Sequence, residues 1–315
     1  MDMKSLPKAN AVLKAKISSR KRSISKERSL FISAFTIPPL FMYTFFLIVP
    51  CILGLFMSFF DFRGLSLKMN FVGFNNYVKM FNDPIFFKTL GNHMYVFILN
   101  TIVVFTLSIA LAVVLSRNVL REKNFYRVLY FFPSAVPMVI ISVMWRSIFN
   151  PSIGVLNGLL ELVGIPGKVW LGDSSLVKNC VVTVMVWKSL GFYLVLFMAA
   201  VLNIPSSLYE AARIDGAGEI KQTFKITIPL IWEVVRTALV FFIITSCGVG
   251  FQVVYILTEG GPDRASELLT TYMYQQAFKL YKYGYGAAIS GAILVVTMVL
   301  ALIILKFTER EVYEY

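Results

Sequence analysis

An all-α polytopic membrane protein with about six transmembrane helices is what this sequence predicts, on three observations. The 315-residue chain is 57% hydrophobic and only 15% charged, with a mean hydropathy of +0.73, whereas soluble domains run nearer half apolar and a quarter charged. Runs such as FISAFTIPPLFMYTFFLIVPCILGLFMSFF, Phe31 to Phe60, exceed the roughly 20 apolar residues that cross a bilayer. Helices are the expected form because they satisfy their own backbone groups in lipid.

The chain divides into a basic tail over 1–29, a membrane domain over 30–306 and a short tail over 307–315. Nine of the 30 basic residues precede the first span, in KAKISSRKRSISKERS and just upstream. No aromatic residue interleaves with them, so the tail reads as a partner for anionic membrane lipid and not for nucleic acid. The first span, about 30–60, begins after about 28 polar residues, is too long for a signal-peptide core and has no small-residue cleavage site after it. It is expected to be retained.

Further spans are expected at about 93–116, 127–149, 178–203, 230–256 and 284–306, with Pro133 and Pro137 kinking the third. Eighteen basic residues fall on segments that are inside if the N-terminus is inside, against eight on the outer loops, which places both termini in the cytoplasm. Of the outer loops, 150–177 carries the helical GVLNGLLELVG and an interfacial Trp170. The loop 258–283 opens with the turn EGGPDR and continues through tyrosines expected at the headgroup level. Cys51, Cys180 and Cys247 lie in separate apolar segments without CxxC spacing, which suits small buried side chains.

Nothing assembles an enzyme. His93, at the expected start of span two, has no Cys or acid at ligand spacing, which favours a helix-end role over a metal site. GKV at Gly167 to Val169 lacks the upstream Gly and the following Ser or Thr of a phosphate loop, so any ATP must be hydrolysed on another chain. Two polar features lie within spans. Lys188 falls near the bilayer middle, where it either lines a cavity beside a polar solute or makes a helix–helix contact or snorkels. Ser246, Gly248, Gly250 and Gln252 of SCGVGFQ either loosen span five toward a solute path or pack helices closely.

The segment LNIPSSLYEAARIDGAGEIKQTFKITIPLI, Leu202 to Ile231, joins spans four and five on the side expected to be cytoplasmic. Pro205 and Ser206 suit a helix start, with Ser207 and Glu210 at capping-box spacing. Asp215-Gly216 is a turn dipeptide in which Gly216 supplies positive φ, and a second helix runs back toward Pro229. Ile214, Ile220, Phe224 and Ile228 are expected to pack on the spans beneath.

At these residues a family resemblance becomes visible. EAARIDGAGEIKQTFKITIP resembles the EAA loop of permease subunits in binding-protein-dependent ABC importers, with Glu210, Ala211, Ala212, Asp215, Gly216, Ala217, Ile226 and Pro229 matching its pattern. The family's later proline is missing, since Trp232 and Glu233 stand there. FVGFNNYVKMFNDPIFFKTLGN, FFPSAVP, WKSLGFYLVLFMAAVLNIP and LTEGGPDRASELLTTYMYQQAF are similar to carbohydrate-uptake permeases of the maltose and glycerol-phosphate kind.

The resemblance implies a permease domain with a cytoplasmic EAA coupling-helix loop over about 204–229, in a bacterial inner membrane. It implies transport and no catalysis by this chain. The implied partners are a second homologous permease, an ATPase dimer that binds ATP and Mg, and an extracytoplasmic sugar-binding protein. Carried over residue by residue, Glu210, Ala211, Ala212, Asp215, Gly216 and Ala217 would form the ATPase contact. Glycerol-phosphate or another polar solute stays open as the cargo. An ion-coupled secondary transporter is the rival class, but it would need intramembrane acids, which the spans almost lack.

Overall fold

The computed structural model describes residues 28–63, 69–116 and 122–309. The basic tail before Arg28, the last residues of the C-terminal tail, and Lys68, Arg117 and Arg121 lie outside the described residues, as does Arg310.

Helix α1, Arg28–Met57, belongs up to Phe56 to a unit of its own, and its apolar window has no buried residue. Inside it, Thr44–Ile48 forms a wider π turn, in which the amide of Val49 donates five residues back to the carbonyl of Thr44. Pro50 follows at once. A proline has no N–H and crowds the carbonyl four residues behind it, and widening the preceding turn relieves both problems.

The second unit begins at Met57. Strands β1 (Phe60–Asp61) and β2 (Asn70–Phe71) form a short antiparallel ribbon with Phe60 opposite Phe71. The side-chain amide of Asn76, in α2 (Asn75–Phe81), donates to the carbonyls of Ser58 and Phe60 at 2.8 and 3.0 Å.

Helix α3, Pro84–Ser116, has 33 residues and so extends about 50 Å. It starts nine residues before the expected span. Asp83 Oδ1 accepts the Ile85 amide at 2.9 Å, and Pro84 sits in the first turn, where its missing N–H costs nothing. His93 is therefore two turns inside a helix and not at its end.

The third expected span is not one straight helix. It is α4 (Lys123–Ala135) and α5 (Met138–Ile148), bent by 101° at Val136-Pro137, while Pro133 stays inside α4. Helix α6 (Val155–Leu162) lies in the following loop, where Asn157 Oδ1 accepts the Trp170 indole N–H at 2.7 Å. Helices α7 (Val177–Leu202), α10 (Trp232–Leu257) and α12 (Tyr283–Phe307) are long and apolar enough to cross a membrane, as are α1 and α3. The bent pair makes a sixth crossing if counted as one span.

Helices α3 and α7 form the most extensive helix pair, with α4 on α7 and α5 on α10. Their core centres on Phe105, whose ring lies 5.1 to 5.6 Å from those of Tyr193, Phe197 and Phe242. At one end, α11 (Leu269–Tyr274) packs against α12. Tyr272 is buried there and donates to Asp83, so it is a core residue and not the headgroup anchor the sequence suggested.

Candidate functional site

The segment between α7 and α10 folds as α8 (Ser206–Ile214), a turn, and α9 (Glu219–Gln222), continued by a π turn at Thr223–Thr227 and by Ile228–Leu230. That π turn again precedes a proline, Pro229, for the reason given for Pro50. The expected capping box is not formed: Pro205 occupies the cap position, and no side chain caps α8.

The other end of α8 is closed fully. Gly216 has φ +74°, its N–H bonds to Arg213 O at 3.0 Å, and the N–H of Ala217 bonds to Ala212 O at 2.8 Å. These two bonds make a Schellman motif and satisfy carbonyls that the helix end leaves free. A Cβ at Gly216 would meet nothing within 4 Å, so glycine is needed there for its backbone angle and not for space. Gln222 Nε2 donates to Ala217 O at 2.7 Å, and the Tyr209 and Thr227 hydroxyls lie 3.0 Å apart, joining α8 and the returning segment into one block.

What this block shows to its surroundings differs from the expectation. Ile214, Ile220 and Phe224 do not pack on the spans; they are 86, 77 and 66% exposed, and Ile228 alone is half-buried. The hydrogen bonds that tie α8 to the returning segment use the inner face of the block, and the three apolar side chains are left on its outer face. Glu210, Ala211, Asp215 and Gly216 are exposed, while Ala212 and Ala217 are half-buried. Glu210 and Arg213 also border a cleft of about 540 Å³ shared with Ser116, Leu202 and Gln222. The EAA residues thus gather on one projecting knob.

A second feature lies mid-way along the spans. Pro137 cannot donate to the carbonyl of Pro133, and the break before Met138 frees the carbonyls beside it. Lys188 Nζ fills this gap, donating to Ser134 O at 2.6 Å, Val136 O at 2.7 Å and Pro133 O at 3.3 Å. Its three donors are thereby used, and the cation sits at the C-terminal end of α4, where the helix dipole favours it. One turn on, Gly191 admits the backbone of α4: a Cβ there would stand 1.9 Å from Tyr130 O. Lys188 is therefore a helix–helix staple that also borders a cavity.

That cavity, of about 220 Å³, is lined by Asn100, Ser189, Phe192, Phe241, Thr245 and Ser246 among others. Of the residues singled out in the sequence, Lys188 and Ser246 are brought together here. Gly248 and Gln252 lie on exposed parts of α10, and Gly250 gives room to Leu268, whose Cδ1 would be 3.0 Å from a Cβ. Helix α10 is unbroken through both glycines; Gly250 permits close packing without unwinding, while a Cβ at Gly248 would meet nothing within 4 Å. Asn100 was not singled out, because a lone Asn in an apolar run carries no motif.

Among the described residues no group of three or more His, Cys, Asp or Glu side chains is placed to hold a metal. Residues 105–312 match the family model of the binding-protein-dependent transport system inner membrane component. The chain belongs to that family. It is the permease subunit of an ABC importer, a transport component. It is 36% identical over 272 residues to the probable ABC transporter permease protein YurN of Bacillus subtilis, covering 85% of this chain and 93% of that one. It is 34% identical over 296 residues to the diacetylchitobiose uptake system permease protein NgcF of Streptomyces coelicolor, covering 90% and 84%. With the lactose transport system permease protein LacF of Rhizobium radiobacter it shares 31% over 276 residues, covering 85% and 90%. The permease fold is that of a solved bacterial ABC transporter for alginate import, at TM-score 0.80 and 23% identity over 91% of this chain and 98% of that one.

Proposed function

We propose that this permease carries a sugar or oligosaccharide, delivered by an extracytoplasmic binding protein, and that the knob at α8–α9 is where an ATPase drives it. Support for the cargo comes from relatives named for diacetylchitobiose, lactose and arabinooligosaccharides. The cavity agrees with it, combining aromatic walls with a few polar groups, the pattern of sites for small polar ligands.

The observation that carries the proposed drive is the exposed knob. Three large apolar side chains are left uncovered by the chain beside Glu210, Asp215 and Gly216, on a block closed by the Schellman turn. A patch of this kind marks a protein or membrane contact, and the carboxylates of Glu210 and Asp215 beside it favour a protein. ATP and Mg belong on two ATPase subunits, and a second permease completes the path. The knob and both termini face the cytoplasm, as the basic residues indicate. Nucleotide binding shifts the knob, and the spans exchange two arrangements around the cavity. Gln252 and Gly248 are placed less favourably for solute contact than Ser246.

Proteoliposome uptake tests this. Accumulation of lactose, diacetylchitobiose or arabinobiose is expected to need ATP, both permeases, the ATPase and the binding protein together. Uptake driven by an ion gradient without ATP would contradict it.

A further inference from the structure

Among the described residues, the cavity beside Lys188 is lined by a buried carboxamide that no protein group pairs. Lys188 has spent its donors on α4, the Ser246 hydroxyl donates to Ile243 O at 3.0 Å, and the Thr245 hydroxyl donates to Phe241 O at 3.0 Å. Asn100 is 1% exposed, and neither its Nδ2 nor its Oδ1 has a hydrogen-bond partner among the described residues. Buried polar groups are almost always paired, so an amide free at both ends calls for a missing partner.

Two other buried polar residues of α3 give the contrast, while His93 on the same helix leaves only its Nδ1 without a partner among the described residues. Asn92 donates to Arg264 O and Glu267 O at 3.0 and 3.1 Å, and Ser108 donates to Leu190 O at 3.1 Å. Both serve the fold. Asn100 lies between them along the helix and borders the cavity instead.

We infer that Asn100 is a specificity-determining residue that reads a pair of adjacent hydroxyls on the solute. A carboxamide offers one donor and one acceptor side by side, which matches two neighbouring hydroxyls of a pyranose ring. Phe192 and Phe241 in the same cavity supply apolar faces for the ring carbons. A volume of about 220 Å³ admits one sugar unit at a time, so a longer chain would be read unit by unit. This inference rests on the cavity lying on the solute path.

The test uses the whole transporter in proteoliposomes, with lactose, diacetylchitobiose or arabinobiose, whichever the wild type accumulates fastest, and monodeoxy analogues of that sugar. Asn100→Leu is expected to cut uptake at least tenfold while ATP hydrolysis stimulated by the loaded binding protein stays within twofold. Asn100→Ser, keeping one hydroxyl, is expected to retain part of the uptake but to discriminate less against the analogues. Wild-type uptake and discrimination in Asn100→Leu would overturn the inference. So would equal loss of hydrolysis and uptake in Asn100→Leu, Asn100→Ser and Asn100→Asp, which indicates a purely structural residue. Phe241→Ala, across the cavity, separates the two levels. If it alters uptake and Asn100→Leu does not, only the Asn100 assignment falls; if neither alters uptake, the cavity is off the path.

Discussion

The ammonium of Lys188 donates to the backbone carbonyl of Ser134 at 2.6 Å, joining the middle of α7 to the broken end of α4. A cation deep in an apolar segment is expensive unless it is paired, and here helix carbonyls freed by Pro137 pair it. Each partner answers a cost created by the other, and the wall of the cavity depends on both.

Lys188→Met would leave the Ser134 and Val136 carbonyls unpaired, at a cost on the order of 1–3 kcal/mol for each, while Pro133 O keeps the Val136 amide. A lower unfolding temperature of the detergent-purified transporter is the expected result. Lys188→Arg keeps the charge, but its planar fork does not converge on three carbonyls as an ammonium does, so an intermediate value is expected. Unchanged stability in Lys188→Met would show that the staple contributes nothing.

Gly216 makes a different demand. Its φ of +74° costs a β-branched residue about 1–2 kcal/mol, although the surrounding space is open. Gly216→Val is expected to insert normally and to lose most ATP-driven uptake, because the turn no longer presents α8 in the same direction. Gly216→Asn, which tolerates this conformation better, should keep more. Equal uptake by the two variants would separate the turn geometry from transport.

Asp83 gives a pH signature. Burial works against its charge, but hydrogen bonds from Tyr272, from Tyr285 at 2.6 Å and from the amides of Ile85 and Phe86 outweigh it, so its carboxyl lies below the usual range. A lowered carboxyl stabilises the fold fully above the ordinary carboxylate pKa, and this is lost as pH falls through the lowered value. Glu267 runs the other way, since burial exceeds the pull of Arg264 and raises its carboxyl. Asp83→Asn retains Glu267, whose carboxyl the Asp83 charge also helps to raise, so the stability gap between wild type and Asp83→Asn reads Asp83 together with that coupling. That gap should shrink as pH drops from 7 to about 3; a constant gap would contradict it.

Much of this arrangement was legible in the sequence, because lipid leaves the backbone few options. Span number and the Asp215-Gly216 bend follow from apolar length and from glycine's freedom at positive φ. Helix α3 was read nine residues short, since the hydropathy signal begins after the polar first turn, whereas Asp83-Pro84 marks the true start. The sharp break at Val136-Pro137 needed a partner to be understood: two prolines announce a bend, but only Lys188, more than 50 positions on, shows how the freed carbonyls are satisfied. Ile214, Ile220 and Phe224 were assigned inward because apolar residues usually bury. Their exposure is what the proposed docking of a second protein would cover.

Ile214 offers the most direct test of docking. A benzoyl-phenylalanine photocrosslinker placed at this 86% exposed position should join the permease to the ATPase chain in the assembled transporter, with a yield that changes when ATP is bound. Adducts confined to the permease itself or to lipid would contradict the knob's role as the ATPase contact.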